Sequence, residues 1–311
     1  MDYGYGISVC SPTQPSRRFP VPATRLCRIV LLLLTMVLLP VPGRATADSP
    51  VPLSVFVSIL PEVQFVRKVG GDRVRVQALV QPGQSPATYA PTPRQMAALS
   101  RARVYFRIGV PFEKALLPRL LDTMPHLDIV DLRTGLHLIE LGNGQAGELD
   151  PHTWLDPMLV KQQARTIRDT LATLDPRGRD TYQAGYRRFA AELDRLNARL
   201  ARILRPFAGQ TIYVFHPAYG YFCRAYGLVQ KAVAAGDRQP GARHLAQLIR
   251  EARADHVKII FVQPQFSRKT ARAIADAIGA RVIPLDPLAE DYMANMERMA
   301  DRIAGALEER K

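Results

Sequence analysis

Two series of short apolar runs alternate with amphipathic segments along the chain. In the first series, residues 53–60, 73–80, 104–109 and 127–132 are rich in Val, Ile, Leu and Phe and are typical of strands. The second series includes residues 211–216, 258–263 and 281–285. Segments with apolar residues three and four positions apart separate the strands. This order predicts an α/β protein with two lobes, each a mostly parallel sheet flanked by helices.

A single long helix is predicted between the two series. Its apolar positions, three and four residues apart, are Tyr182, Tyr186, Phe189, Leu193, Leu196, Leu200 and Leu204. A helix of this length is too long for a usual crossover, so we expect a rigid bridge. The predicted division is an amino-terminal lobe over 48–178, a bridging helix over 179–205 and a carboxyl-terminal lobe over 206–311.

The first 47 residues have the composition of a secretory signal peptide. Several arginines precede an apolar run over residues 29–39, and Ala45 and Ala47 provide the small residues that a signal peptidase recognises. The run is shorter than the roughly 20 residues that span a bilayer. We expect cleavage after Ala47 and export to the periplasm. Cys27 precedes the apolar run, whereas the lipid-carrying cysteine of a lipoprotein would follow it, so we do not expect a lipoprotein. Cys223 is the one cysteine after the predicted signal peptide, and we expect it to be a buried structural thiol.

The basic charge of the chain does not favour a nucleic-acid partner. Five Arg and one Asp lie in the first 47 residues, so +10 of the formal +14 belongs to the rest of the chain. The arginines are scattered through amphipathic segments, and no run reaches five basic residues. This pattern is typical of a solvated surface rather than a binding tract. We expect a monomer that binds no nucleic acid.

Candidate metal ligands stand at the predicted carboxyl ends of strands, where open α/β sheets bind their ligands. His152 lies between prolines in the loop DPHTWLDP, His216 ends a strand before Pro217, and Asp286 follows a strand in the same way. Imidazole and carboxylate together suit Zn²⁺, and Mn²⁺ when oxygen donors increase. These three residues form the hypothetical site, although their separation in sequence matches no local metal motif.

Four motifs in register resemble one family. They are DPHTWLDP, VFHPAYGYF, IIFVQPQFS and IPLDPLAEDY. They are similar to the periplasmic metal-binding proteins of zinc and manganese ABC importers, the cluster A-I or zinc-uptake solute-binding family. The resemblance covers nearly all of the chain after the signal peptide. It implies a metal held between two bridged lobes and partners that are an ABC permease and its ATPase in the inner membrane.

The resemblance also implies a ligand set from which one member is missing. Members of the family usually bind the ion with three histidines and one carboxylate, of which two histidines fall on His152 and His216 and the carboxylate on Asp286. The first histidine belongs in the segment PGQSPATYAPTP, where this chain has Ala87. Water, Tyr89 or Gln263 would then complete the coordination of the metal. The segment between Glu140 and Asp150 has no histidine, which argues against a metal-scavenging loop.

Three functions are compatible with these features. A transport binding protein that delivers Zn²⁺, or Mn²⁺, to the importer is favoured. The alternative is a relative with an altered or lost metal site that acts as an accessory or adhesin-like protein. Three ligands with an open position would also suit catalytic zinc. However, no HExxH motif or nucleophile elbow is present, and Glu113 and Glu140 fit structural roles, so we predict that the chain is not an enzyme.

Overall fold

A computed structural model describes residues 51–141, 147–232, 242–254, 257–266 and 268–309. The predicted signal peptide lies outside these ranges. The first sheet consists of β1 (Leu53–Val57), β2 (Val74–Ala78), β3 (Val104–Arg107) and β4 (Asp128–Asp131). All its strands are parallel, in the order β2-β1-β3-β4. The strand order changes direction between β1 and β3, because β2 lies on one side of β1 while β3 and β4 lie on the other. In open α/β sheets such a point leaves a crevice at the carboxyl ends of the two strands.

Helices cover the first sheet, which explains why its central strands are continuously apolar. They are α1 (Leu60–Gly70), α2 (Pro93–Leu99), α3 (Pro111–Thr123) and α4 (Pro157–Leu174). Helix α2 begins as its sequence predicts: Thr92 accepts a hydrogen bond from the backbone of Gln95, and Pro93 occupies the first helical position. The strand bounds are shorter than the apolar runs, because Leu60 already belongs to α1.

The predicted bridging helix is α5 (Arg179–Leu204), which has 26 residues and is therefore about 39 Å long. Its apolar face is buried, including Phe189, Leu193 and Leu200. The helix packs on α1 and α4, and Gly185 permits a close approach. A Cβ at that position would lie 2.3 Å from the backbone oxygen of Val69. None of the helices in the described ranges is long and apolar enough to cross a membrane.

The second sheet repeats the topology of the first. It consists of β5 (Thr211–Val214), β6 (Val229–Ala232), β7 (Ile259–Val262) and β8 (Arg281–Pro284), all parallel, in the order β6-β5-β7-β8. Its helices are α6 (Gly220–Tyr226), α7 (Ala242–Ala254), α8 (Arg268–Ile278) and α9 (Tyr292–Glu308). The crevice of this sheet lies between β5 and β7, whose carboxyl ends lead directly to His216 and Gln263.

The two lobes are joined by side-chain packing as well as by α5. Phe65 of α1 makes an edge-to-face contact with Tyr292 of α9 at 4.9 Å and also packs on Phe189 of the bridge. Helix α9 packs along α5. The chain from Pro50 onward forms one compact unit, so the predicted lobe boundaries at 178 and 205 stay predictions. The two-lobed, bridged α/β architecture is confirmed.

Candidate metal-binding site

His152 is held in place by the carboxylate two residues before it. The residue lies just before a short helical turn, Thr153–Leu155, in the connection from β4 to α4. Its Nδ1 is 2.6 Å from Oδ1 of Asp150, and its backbone N–H donates to the same oxygen at 2.8 Å. Asp150 is fully buried. Because the carboxylate accepts the Nδ1 proton, Nε2 carries the free lone pair and is the nitrogen available to a metal.

His216 enters the same space from the other lobe. It follows the buried strand β5. The pairing of β5 with β7 extends one residue further, because Phe215 N–H donates to Phe261 O at 2.8 Å. The amide of Gln263 donates to the backbone oxygen of His216 at 3.0 Å, and the imidazole stacks obliquely on Phe266 at 5.2 Å. His152 and His216 are 9% and 7% exposed. Each imidazole is therefore fixed in direction and largely shielded from water.

The two imidazoles face each other across the cavity between the lobes. Their Nε2 atoms are 3.4 Å apart. At this distance the Nε2–H of one ring can donate a long hydrogen bond to the bare Nε2 of the other. Zinc lies about 2.0–2.1 Å from each imidazole nitrogen, so two nitrogens on one tetrahedral ion are about 3.3–3.4 Å apart. The separation fits two ligands of one metal ion.

Aromatic side chains form the walls around the histidine pair. Trp154 lies 5.1 Å from His152, ring centre to ring centre, and is almost completely buried. Its indole N–H donates to the backbone oxygen of Pro287 at 2.7 Å, which connects the loop of the first lobe to that of the second. Trp154 thus forms one wall of the cavity. Trp154 and Phe266 therefore shield the two imidazoles from water on these sides.

The cavity beside the histidines has a volume of about 440 Å³. Ala87 lines it, so the residue that replaces the expected first histidine does face the same space as His152 and His216. Gln263 and Gln265 also line the cavity. Gln263 thus lies beside His152 and His216, and its proposed part in coordination stays a prediction.

Asp286 is not brought together with the histidines. Its Oδ1 accepts hydrogen bonds from the Gln265 amide and from the backbone N–H of Leu288, both at 2.9 Å. It lines a neighbouring pocket, which shares Gln265 and Leu288 with the histidine cavity. Within the described ranges, no three His, Cys, Asp or Glu side chains are arranged to hold a metal ion.

Tyr89 does not line the histidine cavity, contrary to the expectation that its hydroxyl could complete the coordination. Its oxygen lies 2.5 Å from the backbone oxygen of Leu79 and 2.7 Å from Oε1 of Gln95. The ring packs edge-to-face on Phe112. The tyrosine therefore fastens its proline-rich loop to the end of β2 and to α2. Its role in the structure is to position Ala87.

A buried ionic network lies at another wall of the cavity. Glu113 accepts hydrogen bonds from Ser58 Oγ at 2.6 Å and from the backbone N–H groups of Ile108 and Gly109 at 2.9 and 2.8 Å. Burial raises the pKa of Glu113 despite these bonds. Its oxygens fix the loop after β3, which supports the structural role predicted for Glu113.

Cys223 is buried, as predicted, and burial raises the pKa of its thiol to about 12.

Asp150 contacts the candidate ligand His152 and is not among the residues predicted from the sequence. The motif Asp-Pro-His contained the signal, because a carboxylate two residues before a histidine can fold back onto its ring. Oδ2 of Asp150 is buried and has no hydrogen-bond partner within the described ranges. A buried negative charge of this kind is stabilised when the adjacent imidazole binds a cation.

Comparison with known proteins identifies the family. The family model described as zinc-uptake complex component A, periplasmic (ZnuA), matches residues 55–306. The high-affinity zinc uptake system protein ZnuA of Yersinia pestis is 28% identical over 264 residues, with 76% of this chain and 83% of that protein covered. The corresponding Bacillus subtilis protein is 26% identical over 262 residues, with coverage of 79% and 82%.

Solved structures show the same fold. A crystal structure of a ZnuA deletion mutant with zinc bound is 43% identical to this chain, with a TM-score of 0.77, and the match covers 82% of this chain and 98% of that one. The ZnuA family consists of solute-binding transport proteins rather than enzymes. With the family model matched from the first strand to the last helix, the chain belongs to the family of periplasmic zinc-uptake complex component A.

Proposed function

We propose that this protein captures Zn²⁺ between His152 and His216 in the periplasm and delivers it to an ABC permease driven by its ATPase. The observation that carries the proposal is the 3.4 Å separation of the two Nε2 atoms, which suits one tetrahedral zinc ion. Asp150 supports it by orienting the first of these imidazoles. Two nitrogen donors favour zinc over Mn²⁺, which prefers oxygen ligands.

Asp286 is proposed as a third ligand in the loaded protein. Its Oδ1 accepts hydrogen bonds from the Gln265 amide and the Leu288 N–H, two residues that line both its own pocket and the histidine cavity. Movement of this one amide would allow the carboxylate to turn toward the ion. Loading would then exchange the charge-assisted hydrogen bond from Gln265 for a bond to the ion.

The rigid contacts between the lobes limit how the ion is released. The bridging helix α5 and the packing of Phe65 on Tyr292 oppose a wide hinge motion. We infer that release depends on small movements of the loops carrying His152 and Asp286 when the protein docks on the permease. An accessory or adhesin-like role is not favoured, because both histidines still face the cavity.

Calorimetric titration with Zn²⁺ and with Mn²⁺, combined with native mass spectrometry, tests the proposal. We expect one Zn²⁺ per chain, weaker binding of Mn²⁺, and loss of zinc binding in His216→Ala. Failure of the wild type to bind either metal at micromolar concentration would refute it.

Amino-terminal sequencing of the protein from the periplasmic fraction tests export, with a mature terminus at Asp48 expected.

A further inference from the structure

We propose that Tyr221 and Trp154 are positioning residues of the metal site, which hold the segment carrying His152 against the second lobe. This inference rests on the proposed function and names what fixes the spacing of the two imidazoles. The His152 segment, residues 150–155, belongs to the first lobe because it lies between β4 and α4, whereas His216 follows β5 in the second lobe. Imidazoles from two lobes keep one spacing when the segment of the first lobe is bonded to the second.

The hydroxyl of Tyr221, on α6 of the second lobe, makes the first of these bonds. It donates to the backbone oxygen of Asp150 and accepts from the backbone N–H of Ile139, both at 3.1 Å. Ile139 and Asp150 are themselves paired, since Asp150 N–H donates to Ile139 O at 2.8 Å. Tyr221 is 2% exposed. Its single oxygen therefore ties both arms of the first-lobe connection to a helix of the second lobe.

Helix α6 also comes close to the carboxylate behind His152. A Cβ on Gly220, the first residue of the helix, would lie 2.6 Å from Oδ2 of Asp150. The other oxygen of this carboxylate is the one that contacts His152 Nδ1 at 2.6 Å. Because Gly220 has no side chain, the helix backbone can lie directly beside Asp150. The carboxylate that orients the imidazole is thus packed against the second lobe.

The indole of Trp154, two residues after His152, makes the second bond between the lobes. Its N–H donates to the backbone oxygen of Pro287 at 2.7 Å. The two backbone oxygens before Pro287 accept hydrogen bonds from side chains of the second lobe, Tyr219 and Asn295, both also at 2.7 Å. Trp154 therefore bonds to a segment that its own lobe holds firmly. The loop carrying His152 and the segment before α9 should move as one unit.

The consequence is a pair of ligands that is assembled before any metal enters. The first lobe holds the His152 segment as well, through the Gln163 amide and Thr153 Oγ1 at 2.8 Å. Ligands that are already in place lose less freedom on binding, which increases affinity. Without the bonds to the second lobe, the distance between the imidazoles would vary as the lobes move. Loss of either bond should therefore speed zinc release more than it slows zinc capture.

Transfer of zinc from the loaded protein to a chelator, followed by stopped flow, tests the inference with conservative variants. Tyr221→Phe removes one hydroxyl, and Trp154→Phe keeps a ring and removes the indole N–H. We expect each to release zinc faster by about fivefold or more. Tyr226→Phe is the matched control from the same helix. Its hydroxyl donates to Asn197 of the bridging helix at 3.1 Å, so its loss should lower the stability of the zinc-free protein to urea and leave zinc release unchanged.

Release from Tyr221→Phe and Trp154→Phe at the rate of Tyr226→Phe would overturn this inference and leave the proposed function intact. No zinc binding by the wild type would instead refute the proposed function.

The wild type offers a second test that needs no substitution. Trp154 is the one tryptophan of the sequence, so its indole N–H gives a single NMR signal. We expect this proton to exchange with deuterium at least about 100-fold more slowly than that of a free indole, both before and after zinc is added. Exchange as fast as in a free indole in the zinc-free protein would overturn the inference that the pair is assembled without metal.

Discussion

The Nε2 atoms of His152 and His216 face each other at 3.4 Å, although the residues are 64 positions apart and belong to different lobes. One histidine follows β5, and the other is held by a bent Asp-Pro-His segment. In the metal-free structure the two nitrogens make a long hydrogen bond, and the same spacing suits two ligands of one ion. The predictions below concern what orients this pair, what completes it and what holds the surrounding scaffold.

Asp150→Asn should weaken zinc binding by about 10- to 100-fold, the usual effect of losing a carboxylate behind a metal-binding histidine. The carboxylate makes Nδ1 the protonated nitrogen and increases the basicity of Nε2, whereas a neutral amide does this less effectively. Calorimetry measures the affinity. Asp156→Asn is the matched control from the same loop. Asp156 caps α4 through the backbone N–H of Met158, so its loss should lower stability and leave zinc affinity unchanged. Equal affinities for the two variants would contradict this role for Asp150.

Asp286→Asn should reduce zinc affinity tenfold or more if the carboxylate joins the histidines on loading. The amide can still bond to Leu288 N, so the loop should keep its shape. Glu290→Gln removes a carboxylate from the same neighbouring pocket, where Glu290 pairs with Arg67 on the surface, and should have no effect on binding. Unchanged zinc affinity in Asp286→Asn would assign this carboxylate to loop structure alone.

Zinc affinity should decrease as the pH is lowered from about 8 to about 5, the range in which histidine side chains gain their charge. Protons and zinc compete for the same lone pairs on Nε2, so zinc binding releases protons. Titrations in buffers of different ionisation enthalpy give the number of protons released per ion. Affinity that does not change across this range would show that imidazoles are not the ligands.

The Asp175 carboxylate should stabilise the fold in a pH-dependent way. It accepts hydrogen bonds from Tyr182 at 2.6 Å and from Arg73 at 2.8 Å, which ties the start of α5 to the first sheet. Burial raises the pKa of Asp175, but these two bonds outweigh it and hold the pKa below its ordinary value. The folded state therefore binds this proton less tightly than the unfolded state, and the stabilisation is lost as pH falls below about 4.

Urea unfolding of wild type and Asp175→Asn between pH 7 and pH 3 measures this effect. The wild type should be the more stable at pH 7, and the difference should shrink as the pH approaches 3. A difference that stays constant with pH would mean that the charge of Asp175 does not contribute.

Much of the architecture could be predicted from the spacing of apolar residues. The bridge Arg179–Leu204 appears where its seven apolar positions indicate, because a helix with one buried face must place them three and four apart. His152 and His216, each beside a proline after a predicted strand, lie together in the structure, and their role as ligands stays a prediction. Strand ends were less accurate, because an apolar run such as 53–60 continues from a strand into a buried helix.

The hydrogen-bond partners of the site could not be predicted in the same way. Asp286 bonds to Gln265, and Tyr89 contacts Leu79 and Gln95 rather than the cavity. Each choice depends on the direction of a side chain relative to a neighbouring loop, for which spacing in the sequence carries no information. Asp150 was missed for the same reason, because its role exists only once the Asp-Pro-His turn folds its carboxylate onto the ring.

X-ray absorption at the zinc edge of the loaded protein tests the shared histidine pair most directly. We predict at least two imidazole nitrogens at about 2.0–2.1 Å from a single zinc ion, and loss of both in the double variant His152→Ala/His216→Ala. A spectrum without imidazole, or one that the double variant leaves unchanged, would contradict the assignment of these two histidines as ligands.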